Sequence, residues 1–263
     1  MRTNNTRPTA LITGASSGIG AALARLFAQN SYDLVIVARG QQALQDLADT
    51  MARQFGVAVA VLPKDLSRTG AADEIAAELQ RRGLQVDVLV NNAGFATYGL
   101  FAEIDLQAEL EMMQVNMVAL THLTKLLLPG MLQRHSGKIL NVASTAAFQP
   151  GPLMAVYYAT KAYVLSLSEA LAEELRGSGV GVTALCPGPT RSGFQERANM
   201  QESRLVQGEI MDVETVARAG YRGLMSGQRI VIPGARNKTL AFATRLLPRG
   251  LVTRIARQAQ ERA

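Results

Sequence analysis

The chain has 263 residues, which is enough for one large α/β domain with a substantial core. Its hydrophobic content of 48% and charged content of 18% are those of an ordinary globular protein and exclude a disordered or fibrous one. The net charge of +6 belongs to the C-terminal tail: residues 236–263 hold seven basic residues and one acid, which leaves 20 of each sign in residues 1–235, so nucleic-acid binding by the body is not expected.

Short apolar segments alternate with helix-length amphipathic segments along the chain, a pattern typical of parallel strands covered on both faces. Strands are predicted at residues 9–13, 33–38, 57–62, 86–91, 138–143, 180–186 and 229–233. Helices are predicted after Gly20 and at about 41–55, 71–82, 106–134, 154–176 and 213–226. This alternation predicts an α/β fold, with a doubly wound, mostly parallel seven-stranded sheet of the Rossmann type in a single domain. Residues 1–235 form this domain, and residues 236–263 form a basic amphipathic extension.

Two segments depart from the regular pattern. Pro129-Gly130 is expected to kink or end the helix at 106–134, because proline cannot donate the helical hydrogen bond. The segment from about 187 to 213 has weak periodicity and follows the carboxyl end of a strand, where active sites of open α/β sheets lie. It is therefore predicted to form a substrate lid.

A glycine-rich segment, TGASSGIG at residues 13–20, joins the first strand to the first helix. Glycines let the backbone turn sharply and let a pyrophosphate approach the positive end of the helix. The spacing differs from the G-x-G-x-x-G fingerprint, and a turn of this kind also serves packing alone. Its place at the first βα junction favours a dinucleotide site. The predicted contacts are Gly14, Ser16, Ser17, Gly18, Ile19 and Gly20.

Tyr157 and Lys161 lie four residues apart in a predicted helix, so they share one face. The pKa of a free phenol is near 10, and an adjacent cation lowers it toward the neutral range. Together with the glycine loop, this pair predicts the two halves of a dehydrogenase, a hydride carrier and a proton donor.

These motifs, with NNAG at residues 91–94, Asn116, Ser144 and Pro187-Gly188, resemble the short-chain dehydrogenase/reductase family from about residue 8 to residue 234. The resemblance implies that Tyr157 is the acid of carbonyl reduction and the base of alcohol oxidation. It implies that Lys161 lowers the Tyr157 pKa and binds the nicotinamide ribose, and that Ser144 holds the substrate oxygen. Asn116 would support a water that relays protons toward Lys161; a buried structural asparagine is the alternative.

The resemblance also implies contacts to the cofactor elsewhere in the chain. Asn91 would lie on the adenosine-ribose side, and Asp65 would accept from the adenine amino group or, alternatively, cap a helix. The loop over the carboxamide would use Pro187, Gly188, Thr190 and Ser192. The family often has a branched apolar residue and then a threonine where Thr190 and Ser192 stand.

The end of the second strand bears on which nicotinamide cofactor is bound. An acid there would bind the ribose 2′-hydroxyl of NAD, but this chain has Ala38 followed by Arg39. A guanidinium matches a 2′-phosphate in shape and charge, although an arginine facing solvent is the alternative. We therefore expect NADP(H) in preference to NAD(H).

The predicted substrate is a hydrophobic ketone or aldehyde, or the corresponding alcohol, and no metal site is predicted. Apolar side chains expected near Tyr157 and Ser144 are Phe95, Ala146, Phe148, Met154, Phe194 and Met200, any of which could instead be core. Arg191 or Arg197 could recruit an anionic group or lie solvated on the surface. The rival prediction is a nucleotide-sensing protein that binds NADP(H) without turnover.

The C-terminal extension mixes leucines with arginines, a basic amphipathic pattern. It predicts either peripheral membrane contact or a helix packed over the substrate pocket or a subunit partner. The resemblance implies a homodimer or homotetramer paired through the helices at 106–134 and 154–176. The single cysteine, Cys186, is expected to be buried and inert. No apolar signal segment and no stretch of about 20 apolar residues is recognised, so a cytoplasmic location is expected.

Overall fold

The computed structural model describes residues 7–194, 198, 200 and 210–261. In these residues one sheet has seven strands in the order β3-β2-β1-β4-β5-β6-β7, and every neighbouring pair is parallel. The strands are β1 (Thr9–Thr13), β2 (Asp33–Ala38), β3 (Val59–Pro63), β4 (Val88–Asn91), β5 (Gly137–Val142), β6 (Val180–Leu185) and β7 (Ile230–Val231). The predicted Rossmann-type fold class is confirmed.

Helices cover both faces of the sheet. They are α1 (Gly18–Gln29), α2 (Gln41–Phe55), α3 (Ala71–Arg81), α4 (Leu106–Met113), α5 (Leu120–Gln133), α6 (Ala155–Glu174) and α7 (Val213–Met225). The two faces of strand β1 contact different cores. Ala10 and Ile12 belong to the core that contains α1, α2 and α7, whereas Leu11 belongs to the core that contains α3 and α5. Successive side chains of a strand point to opposite faces, so a sheet buried on both sides needs an apolar residue at every position.

The helix does not end at Pro129-Gly130, one of the two predicted outcomes, because α5 continues through Pro129 to Gln133; the predicted kink stays a prediction. Leu123 and Met131 are buried against the sheet on either side of the proline, and this packing offsets the lost backbone hydrogen bond. The irregularity lies earlier, where Gln114–Ala119 forms a π-helical segment between α4 and α5.

The helical run Leu106–Gln133 is also more apolar than the sequence analysis allowed. Its 28 residues contain an 18-residue window with a mean hydropathy of 1.3, so by length and composition alone it could cross a membrane. Core helices of globular proteins meet the same criteria, and 39% of this window is buried inside the protein.

The C-terminal extension forms two further helices, α8 (Ala235–Ala243) and α9 (Arg249–Gln260), which we call the C-terminal hairpin. The predicted lid is described only in part: Thr190 and Met211 form a parallel bridge, whereas Arg197 and most of residues 195–209 lie outside the described residues. The strand order reverses between β1 and β4, and the carboxyl ends of these strands define the crevice where ligands bind in open α/β sheets.

Candidate active site

The glycine loop after β1 is built for close approach of a ligand. Gly14 and Gly18 adopt positive φ angles of 65° and 56°, which L-residues rarely adopt. A Cβ on Gly18 would lie 2.9 Å from Cβ of Ser192, and a Cβ on Gly20 would collide with the carbonyl oxygen of Gly14. The loop ends at the N-terminus of α1, whose backbone N–H groups favour an anion. These features fit the pyrophosphate of a dinucleotide.

The loop is joined to the end of β4 by hydrogen bonds of Thr13 and Asn92. The hydroxyl oxygen of Thr13 accepts from the backbone N–H groups of Asn92 and Ala93, each at 3.0 Å. The side-chain amide of Asn92 donates to the Thr13 carbonyl at 2.9 Å. The ends of β1 and β4 therefore behave as one rigid unit beneath the glycine loop.

The structure corrects the placement of Asn91. Its side chain is buried and donates to Asn141 at 2.9 Å and to Thr124 at 3.1 Å, between the sheet and α5. Asn92, the residue that follows the strand, lines the cavity in its place. Adjacent strand residues point to opposite faces, so a shift of one position exchanges the cofactor side for the core.

At the far end of the crevice, Arg39 and Asp65 line the cavity beside Lys64. Burial tends to raise the pKa of the Asp65 carboxyl, but hydrogen bonds from Ser67 and the nearby Arg39 guanidinium outweigh it and hold the pKa below its usual range. The helix-cap alternative for Asp65 is wrong, because Gly70 is the N-cap of α3 and Asp65 instead turns the chain by accepting from Ser67. Arg39 is exposed on the cavity wall.

Ser144, Tyr157 and Lys161 lie close together in the same cavity. Ser144 follows β5, and its hydroxyl oxygen accepts from Ala146 N–H at 3.1 Å. The Lys161 ammonium lies 5.8 Å from the centre of the Tyr157 ring, as their positions on one face of α6 predict, and it donates to the Val142 carbonyl at 2.9 Å. The predicted pair is thus brought together with the predicted serine.

The electrostatics of this pair differ from the expectation. Burial raises the pKa of Tyr157, and the hydrogen bond with Ser144 opposes that rise. Burial also lowers the pKa of Lys161 to about 8, which weakens it as a permanent cation. The expected lowering of the Tyr157 pKa by Lys161 is therefore not found: desolvation of both groups dominates.

Asn116 lies behind the cavity wall, not on it. It sits in the π-helical segment and is 1% exposed. Its amide nitrogen donates to the Phe95 carbonyl at 3.0 Å and to the Thr160 hydroxyl at 3.1 Å, and its oxygen accepts from Phe95 N–H at 3.2 Å. Gly94 separates it from Lys161: a Cβ there would lie 2.9 Å from Asn116 Oδ1 and 3.5 Å from Lys161 Nζ. These contacts match the structural interpretation, and the proton-relay role stays a prediction.

The loop after β6 forms another part of the cavity wall. Pro187, Gly188, Thr190 and Ser192 all line the cavity, as predicted from the motif. A Cβ on Gly188 would lie 2.6 Å from the amide of Asn237, a residue of α8 that the sequence analysis did not single out. The C-terminal hairpin thus packs directly on this loop. Cys186 at the end of β6 is buried, and burial raises its pKa to about 12, so it is inert as expected.

The cavity has a volume of about 1110 Å³, large enough for a dinucleotide with a substrate beside it. Phe95, Met154 and Phe194 lie on its wall with Ala146 and Met200, and the Phe194 ring centre is 5.5 Å from that of Tyr157. Phe148 does not: it packs against the core that contains Leu120 and Val164, because it is the last residue of the short helix Thr145–Phe148 and turns inward.

Residues 8–203 match the family model of the short chain dehydrogenases. The chain belongs to the short-chain dehydrogenase/reductase family. Members are oxidoreductases that act on carbonyl or alcohol groups with a nicotinamide cofactor, and the cradle of Gly14, Gly18 and Gly20 fits such a cofactor. The family therefore accounts for the glycine loop and the Tyr157–Lys161 pair in one fold.

Individual relatives agree with this assignment. The chain is 36% identical over 186 residues to ketoacyl reductase HetN of a Nostoc species, covering 71% of this chain and 64% of that protein. It spans about 60% of the length of the curated relatives it matches first. A short-chain dehydrogenase from Sphingobium yanoikuyae in complex with NADPH is 37% identical, with a TM-score of 0.82 and coverage of 90% and 94% of the two chains. A bulky-bulky ketone specific alcohol dehydrogenase from Comamonas testosteroni is 32% identical, with a TM-score of 0.78 and 94% coverage of each chain.

The site of this short-chain dehydrogenase has a second wall that the sequence analysis did not resolve. The C-terminal hairpin supplies apolar residues to the cavity: Leu240, Ala241, Leu247, Val252, Ile255 and Ala256. Gln260, at the end of α9, is fully buried; its side chain contacts the Tyr158 hydroxyl, and its carbonyl accepts from the Tyr98 hydroxyl at 2.6 Å. The amphipathic pattern was compatible with membrane contact or with a packed helix, and only the fold identifies the surface on which the helix packs.

Proposed function

We propose that the protein is an NADP(H)-dependent oxidoreductase that interconverts a hydrophobic ketone or aldehyde and the corresponding alcohol. One observation carries the proposal: the glycine loop and the side chains Ser144, Tyr157 and Lys161 line one and the same cavity. A bound dinucleotide can therefore reach the same substrate carbon that the phenol serves.

The preference for NADP(H) rests on charge at the adenosine end. Ala38 stands where an acid would select NAD, and the exposed guanidinium of Arg39 faces the cavity. Lys64 adds a second cation to this wall, although Glu74 pairs with it at 2.5 Å. A 2′-phosphate gains from both cations, whereas a 2′-hydroxyl gains little. The NADPH complex of the similar Sphingobium yanoikuyae protein agrees with this proposal.

When bound, the nicotinamide cofactor supplies or accepts the hydride at the substrate carbon. Tyr157 holds the proton: because burial raises its pKa, it is protonated at neutral pH and can donate to the substrate oxygen during reduction. Ser144 orients that oxygen and hydrogen-bonds the phenol. Lys161 provides positive charge that favours the phenolate left after donation, and the Val142 carbonyl holds its ammonium in place.

The substrate class follows from the wall around Tyr157. Phe95, Met154, Phe194 and Met200 surround it, and the hairpin adds Val252 and Ile255, so a bulky apolar group next to the carbonyl is buried on binding. The similar Comamonas testosteroni enzyme is described as specific for bulky-bulky ketones, which agrees with a wide apolar site.

We also propose that the enzyme forms a homodimer or homotetramer through α4, α5 and α6. Large apolar side chains are exposed on these helices and on the π-helical segment between α4 and α5: Leu110 and Val118 are each 48% exposed, Leu126 and Tyr163 each 38%. Covering such a surface is the common reason for self-association. Sedimentation of the intact protein checks this, and a monomer at all concentrations would contradict it.

The test of function is Tyr157→Phe, which removes the acid and keeps the ring. NADPH oxidation with a panel of apolar ketones should fall by about a thousandfold, whereas NADPH binding measured by its fluorescence should be retained. Tyr158→Phe is the matched control and should keep most of the activity, since its hydroxyl contacts Gln260 instead of Ser144. If wild type binds NADPH but reduces no member of the panel, the nucleotide-sensing alternative gains support.

A further inference from the structure

The C-terminal hairpin has two faces with different partners. Its inner face is buried: Ala241 of α8 and Val252, Ala256 and Gln260 of α9 close the substrate cavity. The three residues of α9 are spaced by four, so they form one stripe along the helix. This stripe leaves the opposite side of α9 and the connection between the helices for another partner.

The outer face of the hairpin exposes large apolar side chains that the cavity does not use. Phe242 is 60% exposed, Leu246 is 72% exposed and Leu251 is 44% exposed, and none of the three lies on the cavity wall. Leu246 belongs to the turn between α8 and α9 and is the most exposed of them, so the apolar surface is centred on the tip of the hairpin. Leaving this much apolar surface in water is unfavourable, and such a patch marks an interaction site.

Exposed basic side chains alternate in sequence with these apolar residues along the hairpin. Lys238, Arg245, Arg249 and Arg254 are exposed, and within the part of the chain that the structure describes none of the four has an ion pair. Arg257 pairs with Glu261 at 3.4 Å. The partner of this face must therefore accept apolar groups at the tip and supply negative charge around them.

We propose that the outer face of the hairpin, defined as Phe242, Leu246 and Leu251 with Lys238, Arg245, Arg249 and Arg254, docks on an anionic membrane surface. Basic and apolar side chains on one helical surface are the combination that lies in the headgroup region of anionic bilayers, with the apolar groups inserted. Each basic residue near the surface adds attraction to acidic lipids.

The alternatives explain less of this surface. A second copy of the chain would place the same unpaired cations against each other, and like charges in contact oppose docking. An acidic protein would satisfy the charges, but a protruding tip that is most exposed at Leu246 inserts among lipid headgroups without needing a matched groove.

The position of the cavity gives membrane docking a consequence for the substrate. Leu240, Leu247 and Ile255 line the cavity and are also 56%, 41% and 50% exposed, so they form its rim on the hairpin side. Docking of the outer face would bring this rim close to the bilayer. An apolar substrate dissolved in the membrane would then pass along the rim to Tyr157; this step rests on the proposed function, whereas the docking itself does not.

The test is flotation of the full chain with vesicles of phosphatidylcholine alone and of phosphatidylcholine mixed equally with phosphatidylglycerol. Wild type should float with the anionic vesicles and stay at the bottom with the neutral ones. Leu246→Asp should weaken binding by about tenfold, because it replaces an inserted side chain with an anion. Arg254→Gln should weaken it by about fivefold.

A matched control separates docking from a general effect of charge. Arg25→Gln removes an exposed arginine of α1 and should float like wild type. Turnover of a water-soluble ketone should be unchanged in Leu246→Asp, whose side chain is off the cavity wall, so a failed enzyme and a failed docking surface give different results. Equal binding of wild type and Leu246→Asp, or no binding to anionic vesicles, would overturn the proposal. Capture by an acidic protein with no vesicle binding would overturn it in favour of a protein partner.

Discussion

The glycine loop and the C-terminal hairpin enclose the same cavity but are built by different means. The loop is held by backbone: Gly14 and Gly18 have positive φ angles, Gly20 packs on the Gly14 carbonyl, and Thr13 bonds the main chain of β4. The hairpin is held mainly by side chains: the buried stripe of α9, the Gln260 side chain against the Tyr158 hydroxyl, and the Tyr98 hydroxyl, which donates to the Gln260 carbonyl.

This difference separates what the enzyme keeps constant from what it can vary. Backbone contacts tolerate almost no added atom, so the cofactor end should be intolerant of substitution. Side-chain contacts can be repacked when volume is conserved, so the substrate end can change specificity without disturbing the cofactor. The predictions that follow test whether the two ends respond as differently as their construction implies.

Gly20→Ala should have the largest effect, because the new methyl group would collide with the Gly14 carbonyl, which cannot move without opening the loop. We expect a loss of about 3 kcal/mol, which corresponds to about a hundredfold weaker NADPH binding if the loop bears all of it. Fluorescence titration with NADPH and thermal unfolding measure the two parts. Gly181→Ala in β6 is the control, since a Cβ there would meet no atom within 4 Å and Gly181 does not line the cavity. Equal affinities of the two variants would show that the loop is not rigid.

Arg39→Gln tests the adenosine end of the same region. Losing a charge-assisted hydrogen bond to the 2′-phosphate should raise the KM for NADPH by about thirtyfold and leave the KM for NADH nearly unchanged. The control is Arg25→Gln, which removes a charge from the exposed face of α1. If both cofactors are affected equally in Arg39→Gln, the residue supports the loop and does not select the phosphate.

The glycine loop could be predicted from sequence more fully than the C-terminal hairpin. The glycine loop, the sheet and the Tyr157–Lys161 pair depend on short spacings, so local rules locate them. Asn91 and Asn92 show the limit of that approach: both lie at the end of β4, and only the direction of each side chain decides that Asn92 faces the cavity. The prediction that Phe148 lines the substrate site was wrong for a related reason. Phe148 lies at the end of a short helix, and the sequence does not give the direction in which its side chain points.

The hairpin could be predicted as a helix-forming segment but not as a wall of the site. Gln260 reaches Tyr158 and Tyr98 across 102 and 162 positions of sequence, and no local pattern encodes such contacts. The predicted lowering of the Tyr157 pKa was wrong for the same reason. The four-residue spacing correctly placed Lys161 near Tyr157, but the Tyr157 pKa is raised because elements distant in sequence bury the phenol.

The pH dependence of turnover tests α6, because this helix carries both titrating groups of the cavity, Tyr157 and Lys161. Because the Tyr157 pKa is raised, the phenol stays protonated at neutral pH, so kcat/KM for ketone reduction should be flat there. It should fall above about 8, where Lys161 loses its charge. Alcohol oxidation needs the phenolate, so its kcat/KM should rise by about tenfold per pH unit through the neutral range. A reduction rate that increases with pH would contradict this assignment of the acid.

Gln260→Leu should give the smallest effect and the most selective one. Gln260 is fully buried and contacts the hydroxyl of Tyr158, the neighbour of Tyr157 in sequence. It belongs to the C-terminal hairpin and not to the glycine loop. Tyr158 also has a hydrogen bond with Gln149, so the substitution leaves its hydroxyl partly satisfied and should cost about 1 kcal/mol, or about fivefold in the KM for a bulky ketone. The KM for NADPH should not change.

Gln258→Leu, an exposed position on the same helix, is the matched control and should leave both values unaltered. If Gln260→Leu instead weakens NADPH binding as much as ketone binding, the hairpin and the glycine loop are mechanically coupled, and the independence of the two ends is lost.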